Sequence, residues 1–372
     1  MSRFLFVSWD GGGNQLPARR IAAELDTRGH QTRWLMLPRK AIDLATVSPA
    51  ERGAITLGQI MANPAHLAEL RADLDCAPAD MLVIDCLLFG ALAAAQLLGA
   101  PTACLVHTVP GAFGGPHPGN PYAQPFLTAI NSMRATLGLA QISDPWQTWS
   151  PCTPIVASVA ELDTPPAAQV PEFNWVGPLT DRPPAGRRTA TAPARSPRVL
   201  VSLSTARANT RLEQPKAQRI LDALADLGCL AELAGPALDT DRLRVPGNAT
   251  VHGHRPHGQV MSDVSLTITH GGHGTVCTSL AHGVPLLCLP NPVADQPYLA
   301  SRITSLGAGL GLSHDAGPDQ IRSAAESILH DPCYTQAAAR LQAAILATPG
   351  VPGAASTLES LSPRARRPRC AR

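Results

Sequence analysis

"THGGHGTVCTSLAHGVPLLCLPNPVADQPYLASRITSLGAGLGL" runs from Thr269 to Leu312. The apolar run leading into it, "VSLTIT", ends at His270, as a short buried strand would. A turn built on Gly271, Gly272 and Gly274 follows, and a helix opens near Thr275. That helix, "GTVCTSLAHG", gives way to another strand, "VPLLCLP". Strand, glycine turn, helix and strand in that order make a parallel βαβ unit. The free N–H groups and dipole at such a helix start suit an anion, for example a diphosphate. The glycines let phosphate oxygens approach the backbone, Thr275 adds a hydroxyl, and His270 adds an imidazole N–H. Further on, "ADQ" sets Asp295 and Gln296 in a loop after the next strand. A carboxylate beside an amide suits the vicinal hydroxyls of a sugar.

The same rhythm extends upstream. "RVLVSLS" is a strand, "QPKAQRILDALADLG" a helix, and "CLAELAG" and "ATVHGH" are strands. Before them lies "DRPPAGRRTATAPARSPR", rich in Pro, Ala and Arg and without apolar periodicity, which reads as a linker. On its far side the pattern runs again: strand "FLFVSW", amphipathic helix "PARRIAAELDTRG", strand "QTRWLML", strand "DMLVIDC", helix "LFGALAAAQLLG", strand "PTACLVH". The expected architecture is two α/β domains, each a doubly wound parallel sheet with helices on both faces. Their boundaries are 1–180 for the first, 181–197 for the linker and 198–332 for the second. A C-terminal helix over 333–350 is expected to pack back on the first domain, and 351–372 to be a disordered basic tail. In such sheets ligands sit beyond the carboxyl ends of the strands, where Asp10, Asp85 and His107 also fall.

The bulk composition excludes several classes. The net charge is +2, but Arg364, Arg366, Arg367, Arg369 and Arg372 crowd the last residues, and without them it is −3. A slightly acidic body argues against a nucleic-acid-binding face. The cysteines, nine in all, include no C-x-x-C pair, and Cys86, Cys104 and Cys288 lie in apolar runs, so no disulfide framework is expected. The N-terminus reads as a strand rather than a signal peptide, and "CLLFGALAAAQLLGA" is shorter than the roughly 18 apolar residues that span a bilayer. A cytoplasmic location without a membrane span is expected.

The other glycine turn, "SWDGGGNQLP" from Ser8 to Pro17, fits neither G-x-G-x-x-G nor the P-loop. It sits where the first strand meets the first helix, and Asn14 in it has no titratable proton. Asp85 reads as a residue that orients a loop or caps the next helix, and His107 as a packed strand-end residue. The histidines 252, 254, 257, 270 and 273 invite a zinc reading, but H-x-H-x-x-H spacing alone does not converge ligands, and no metal is expected.

The segment 251–312 resembles the donor-binding region of nucleotide-sugar glycosyltransferases with the two-domain GT-B fold, in which two Rossmann-like domains face a cleft. More narrowly, the chain resembles the bacterial natural-product branch of the UDP-glycosyltransferase-like family. "RVLVSLST", "FNWVGPL" and "DMLVIDC…AAAQLLGAPTACLVH" extend the likeness over nearly the whole chain. The resemblance implies that His270 contacts the donor diphosphate, that Gly271, Gly272, Gly274 and Thr275 cradle its phosphates, and that Ser204 and Thr205 lie beside them. Asp295 and Gln296 would hold sugar hydroxyls. His254 and Arg255 stand at the nucleobase clamp, where plant enzymes carry a stacking Trp. Thr278 takes the place of a Glu that binds ribose hydroxyls, which favours a thymidine over a uridine diphosphate.

The family's N-terminal turn carries G-H-x-x-P, with His as general base. Here "GNQLP" substitutes Asn14. A relocated base, an acceptor already reactive, or a protein without catalysis would each account for it. Asp10 is the first replacement and His107 the second, with Gly12, Gly13 and Asn14 on the acceptor side. The resemblance implies an inverting, metal-independent and cofactor-free transfer of a (deoxy)hexose from a nucleoside diphosphate to a small aglycone, by a monomer or homodimer. The alternative is a non-catalytic auxiliary of the same fold that assists a partner glycosyltransferase. An epimerase would need acidic residues placed for elimination, and no such set stands out.

Overall fold

The computed structural model describes residues 1–40, 42–44, 47–114, 123–163, 172–180, 182–183, 196–204, 210–235, 238–253, 255–292 and 295–363. The chain divides into two units, Met1–Leu179 with Pro349–Arg372, and Thr180–Thr348. The expected linker falls mostly outside the described residues, as do the basic residues from Arg364 onward. No helix among the described residues is long and apolar enough to cross a membrane.

In the first unit the strands are β1 (Arg3–Ser8), β2 (Gln31–Met36), β3 (Met81–Asp85), β4 (Thr102–Val106), β5 (Thr153–Val156) and β6 (Asn174–Trp175). They pair in the order β2-β1-β3-β4-β5-β6, every pair parallel. The helices are α1 (Gln15–Thr27), α2 (Pro49–Ile55), α3 (His66–Cys76), α4 (Phe89–Leu98) and α5 (Ala123–Thr136). β3, "MLVID", is buried along its length because both faces of a parallel sheet are covered. Phe4 and Phe6 of β1 pack with Ile21 and Leu25 of α1 in the core. Strand order reverses between β1 and β3, since β2 lies on the other side of β1. At such a switch point the loops diverge and leave room at the strand ends.

The second unit repeats the scheme with β7 (Arg198–Ser202), β8 (Leu230–Ala234), β9 (Ala249–His252), β10 (Leu266–Thr269), β11 (Leu286–Cys288) and β12 (Gly309–Gly311). Their order is β12-β11-β10-β7-β8-β9, again all parallel, so the switch point lies between β7 and β10. The helices are α6 (Thr210–Leu224), α7 (His257–Val260), α8 (His273–Ala281), α9 (Gln296–Ser305), α10 (Pro318–His330) and α11 (Pro332–Ala347). Val199 and Val201 of β7 pack with Ile220 and Leu224 of α6 and with Ile321 and Ile328 of α10.

The C-terminus departs from expectation. Where one helix over 333–350 and a disordered tail over 351–372 were expected, there are two helices. α11 belongs to the second unit, and α12 (Gly350–Leu361) belongs to the first. Pro349 and Gly350, the latter at φ +62°, break the chain between them. Val351, Ala354, Ala355, Leu358 and Leu361 make an apolar stripe at helical spacing that packs into the core of the first unit. Small side chains disguise it as loop. Full burial of Leu358 alone contributes roughly 1.5–3 kcal/mol. Arg28 of α1 clamps α12 with an ion pair to Glu359 at 2.8 Å and a hydrogen bond to Pro352 O at 3.0 Å.

Candidate functional site

At the switch point of the first unit, Asn14 is buried and fully engaged. Its Nδ2 donates to Asp85 Oδ2 at 2.8 Å and to Trp9 O at 3.1 Å, and its Oδ1 accepts from Gly11 N at 3.2 Å. The turn can close this tightly because Gly12 takes φ +89° and because a Cβ at Gly11 would press on the Trp9 ring. Gly13 is exposed, with open space where a Cβ would be. Asp10 is exposed, and among the described residues no hydrogen bond or ion pair joins it to Asn14, Asp85 or His107.

Asp85 closes β3, and His107 follows β4 in the adjacent register. Asp85 Oδ1 accepts from Leu87 N at 3.0 Å and lies 3.3 Å from His107 Nε2. Burial alone would raise the Asp85 carboxyl, but His107, the Asn14 amide and the Leu87 N–H hold it below the usual carboxylate range. His107 answers in kind: burial pulls its imidazole down, and the Asp85 and Cys86 groups outweigh burial and hold it well above its ordinary value. Burial pushes the neighbouring Cys86 thiol up. Asp85, Cys86 and His107 are the group of ligating side chains that converges among the described residues; the described histidines 252, 257, 270 and 273 form no such group.

In the second unit the expected residues gather beyond β7 and β10. His270 Nδ1 stands 3.5 Å from Ser202 O, and Ser202 Oγ lies 3.3 Å from Thr275 Oγ1 and 3.0 Å from His257 Nε2. Burial keeps His270 below its ordinary pKa, so at neutral pH it is an uncharged donor and acceptor. Gly271, at φ +82°, packs against the backbone of Gln296, which a Cβ would meet at 3.2 Å. A Cβ at Gly272 would come within 2.6 Å of His270 Nε2. Gly274 is exposed, and a Cβ there would meet no protein atom within 4 Å. α8 starts at His273, slightly ahead of the expected Thr275, so its first N–H groups face the turn. Thr278 Oγ1 donates to Gly274 O at 2.8 Å.

Ser204 is buried just beyond the end of β7, whereas Thr205 and His254 lie outside the described residues. The Arg255 side chain turns toward Glu232 on β8, with Nε 3.5 Å from Oε2. Asp295 occupies the N-cap position of α9, and the Oε1 of Gln296 behind it accepts from Asn291 N at 3.1 Å. Sequence reasoning missed what holds this loop. Lys216 and Glu213, both fully buried on α6, grip Asn291: Lys216 Nζ donates to Asn291 Oδ1 at 2.6 Å and to Leu289 O at 2.9 Å, and Asn291 Nδ2 donates to Glu213 Oε1 at 2.5 Å. Burial pulls the Lys216 ammonium down to about 8, with Glu213 opposing. One signal was available: in a chain whose basic residues are nearly all Arg, only Lys40 and Lys216 are Lys.

Each unit carries polar groups at the switch point of a doubly wound sheet, and the second adds a glycine turn and helix start of the kind that suits an anion. Residues 218–361 match the family model described as the erythromycin biosynthesis protein CIII-like C-terminal domain. The chain is 32% identical over 177 residues to TDP-daunosamine transferase DnrS of Streptomyces peucetius, covering 46% of this chain and 41% of that protein. It is 24% identical over 424 residues to 4'-demethylrebeccamycin synthase of Lentzea aerocolonigenes, covering 97% and 99%. In the alignments to the first curated relatives the chain spans about two fifths of their length. The solved glycotransferase of kitacinnamycin superposes with a TM-score of 0.75 at 21% identity over 97% of this chain and 99% of that one, a likeness of fold. The chain is thus a relative of the bacterial natural-product glycosyltransferases, with their two parallel-sheet domains.

Proposed function

We propose that the protein moves a (deoxy)hexose from a nucleoside diphosphate to a small aglycone with inversion at the anomeric carbon. The observation that carries this is the turn from His270 to Thr275: glycine backbone, a helix start and an uncharged imidazole converge there, and Gly271 holds the Gln296 loop against it. The diphosphate would lie on the N–H groups of α8, whose dipole offsets the charge developing as the sugar–phosphate bond breaks, so that the scheme requires no metal. The open space at Gly274 suits a phosphate oxygen. Asp295 and Gln296 would take the sugar. Thymidine diphosphate is the favoured carrier, because Thr278 offers no carboxylate for a 2′-hydroxyl and spends its hydroxyl on Gly274 O. The name of the Streptomyces peucetius relative points the same way.

The acceptor would bind beside Gly12, Gly13 and Asn14. Its oxygen attacks the anomeric carbon, the bond to the diphosphate breaks, and the acceptor proton passes to His107 in the fraction of the Asp85–His107 pair whose imidazole has lost its proton, a fraction that grows as the pH rises. This pair is preferred to Asp10 because Asn14, at the turn, is bonded to Asp85 and not to Asp10. Calorimetry with thymidine and uridine diphosphates, followed by chromatography of a thymidine-diphosphate sugar incubated with an acceptor panel, tests the proposal. Tighter thymidine diphosphate binding with glycoside formed supports it; failure to bind either nucleotide overturns it. Asn14 in place of a basic residue favours one second reading, a donor-binding auxiliary, for which binding without transfer or hydrolysis is the expected result.

A further inference from the structure

We propose that Asp85, Cys86 and His107 form a binding site for one divalent, borderline-soft metal ion, of which zinc is the type. The ligating atoms of these residues all lie within 4.8 Å of one another, and they are one carboxylate oxygen, one thiol sulfur and one imidazole nitrogen. Two observations point to a cation rather than to a self-sufficient polar cluster. His107 Nε2 is buried and makes no hydrogen bond with acceptable geometry, although Asp85 Oδ1 is only 3.3 Å away. That ion-pair spacing also fits a tetrahedral ion: two ligands about 2.0–2.1 Å from zinc stand roughly 3.3–3.4 Å apart.

Charge balance agrees. An ion of charge 2+ with one carboxylate, one thiolate and a neutral imidazole is neutral overall, which suits a site this deeply buried. Binding forms metal–oxygen, metal–sulfur and metal–nitrogen bonds and releases to solvent the Cys86 proton and any proton held on His107. The surroundings already orient the ligands as metal sites require. Asn14 Nδ2 holds Asp85 Oδ2, Leu87 N holds Oδ1, and Trp149 Nε1 donates to Cys86 O at 3.0 Å. The three residues occupy the C-terminal ends of adjacent rigid strands, and the His107 side chain, 13% exposed, gives the ion its way in. The fourth tetrahedral position is left for water. If the transfer reaction is as proposed above, an ion here captures the pair that would take the acceptor proton, so the site is inhibitory.

The test is a cobalt(II) titration of the full chain after chelator treatment, without donor or acceptor. The expected result is one equivalent bound, a thiolate-to-cobalt charge-transfer absorption, and its loss when zinc is added. Cys86→Ser should abolish the absorption and weaken binding at least ~100-fold, more than loss of an orienting partner does; Asn14→Ala should weaken it by about 10-fold or more. Cys277→Ser, which removes the thiol beside His273 in the other unit, should change nothing. If Cys86→Ser does not fold, as judged by circular dichroism, His107→Gln takes its place. No charge-transfer absorption in the parent protein, or one that survives Cys86→Ser, overturns the site. Because nothing in the titration needs a sugar nucleotide, failure here leaves the transferase proposal standing, and an inactive protein that binds cobalt leaves this one standing.

Discussion

The two switch points solve different electrostatic problems. In the first unit, charge is carried by buried side chains that answer one another: Asp85 is held below the usual carboxylate range, His107 well above its own, and the Asn14 amide ties the pair to the glycine turn. In the second unit the described turn itself presents no formal charge. His270 is kept neutral by burial, and the positive field comes from backbone N–H groups at the start of α8. Two charged residues, Lys216 and Glu213, are withdrawn beneath the surface, where they fix Asn291 and through it Gln296. A group meant to take up a proton needs a responsive side chain. A site for an anion that comes and goes is better made of groups that cannot titrate away.

If that contrast holds, the largest effect should come from removing charge in the first unit. Asp85→Asn leaves His107 buried without its counter-charge and should cost about 3–5 kcal/mol of stability, as does breaking other buried pairs. Urea denaturation measures it, and adding His107→Gln should recover part of the loss if the two are coupled. A cost equal to that of an ordinary surface substitution would mean that the pair contributes nothing. In the second unit, His270→Ala should instead spare stability and reduce turnover by about 10²–10³-fold, the range for losing one donor to a developing oxyanion. Near-normal turnover in that variant would remove the diphosphate site from this turn.

The sequence disclosed the two halves unequally. Continuous apolar runs such as "MLVID" and "RVLVS" declare buried parallel strands, and the glycine turn after β10 declares the helix start. The edge strands β6 and β12 are too short, and β12 too rich in glycine, to carry a period. α12 hid behind alanines. Asp85 was legible as a residue that orients a loop, and it does accept from Leu87 N. Its bond to Asn14 joins positions 71 residues apart, and only the strand order brings them together. Lys216 and Glu213 stand at ordinary helical spacing, so nothing local separates a buried clamp from a surface ion pair.

A third buried histidine calibrates the comparison. His66, on α3, makes no side-chain hydrogen bond, and burial lowers it to about 4. The unfolded chain therefore takes up this proton near the ordinary pKa of 6.5, while the folded chain resists until about 4. The unfolded state binds more protons across that window, so stability is full above it and falls as the pH drops through it. At about 1.4 kcal/mol per unit the loss is on the order of 3 kcal/mol. Urea midpoints across the window measure it, and His66→Gln should flatten the slope. The Asp85–His107 pair predicts no slope in that window: its raised imidazole adds stability as the pH falls toward 6.5 from above, and its lowered carboxyl loses stability only below the ordinary 3.8. A slope that survives His66→Gln would assign the acid sensitivity elsewhere.

The smallest expected change in stability is also the sharpest probe of the backbone site. A methyl at Gly274 meets no protein atom within 4 Å, and its φ lies outside the left-handed region that disfavours side chains. Gly274→Ala should therefore leave the urea midpoint unchanged or slightly raised, since alanine is the better helix former by about 1 kcal/mol. The methyl would nonetheless occupy the space assigned to a phosphate oxygen, so thymidine diphosphate affinity should fall by about 10-fold or more, roughly 1.4 kcal/mol. Gly272→Ala loses both, because its methyl is driven against His270 Nε2. Unchanged affinity in Gly274→Ala would show that the anion is held elsewhere in the second unit. A loss of affinity at constant stability would separate the room left for a ligand from the room the fold itself requires.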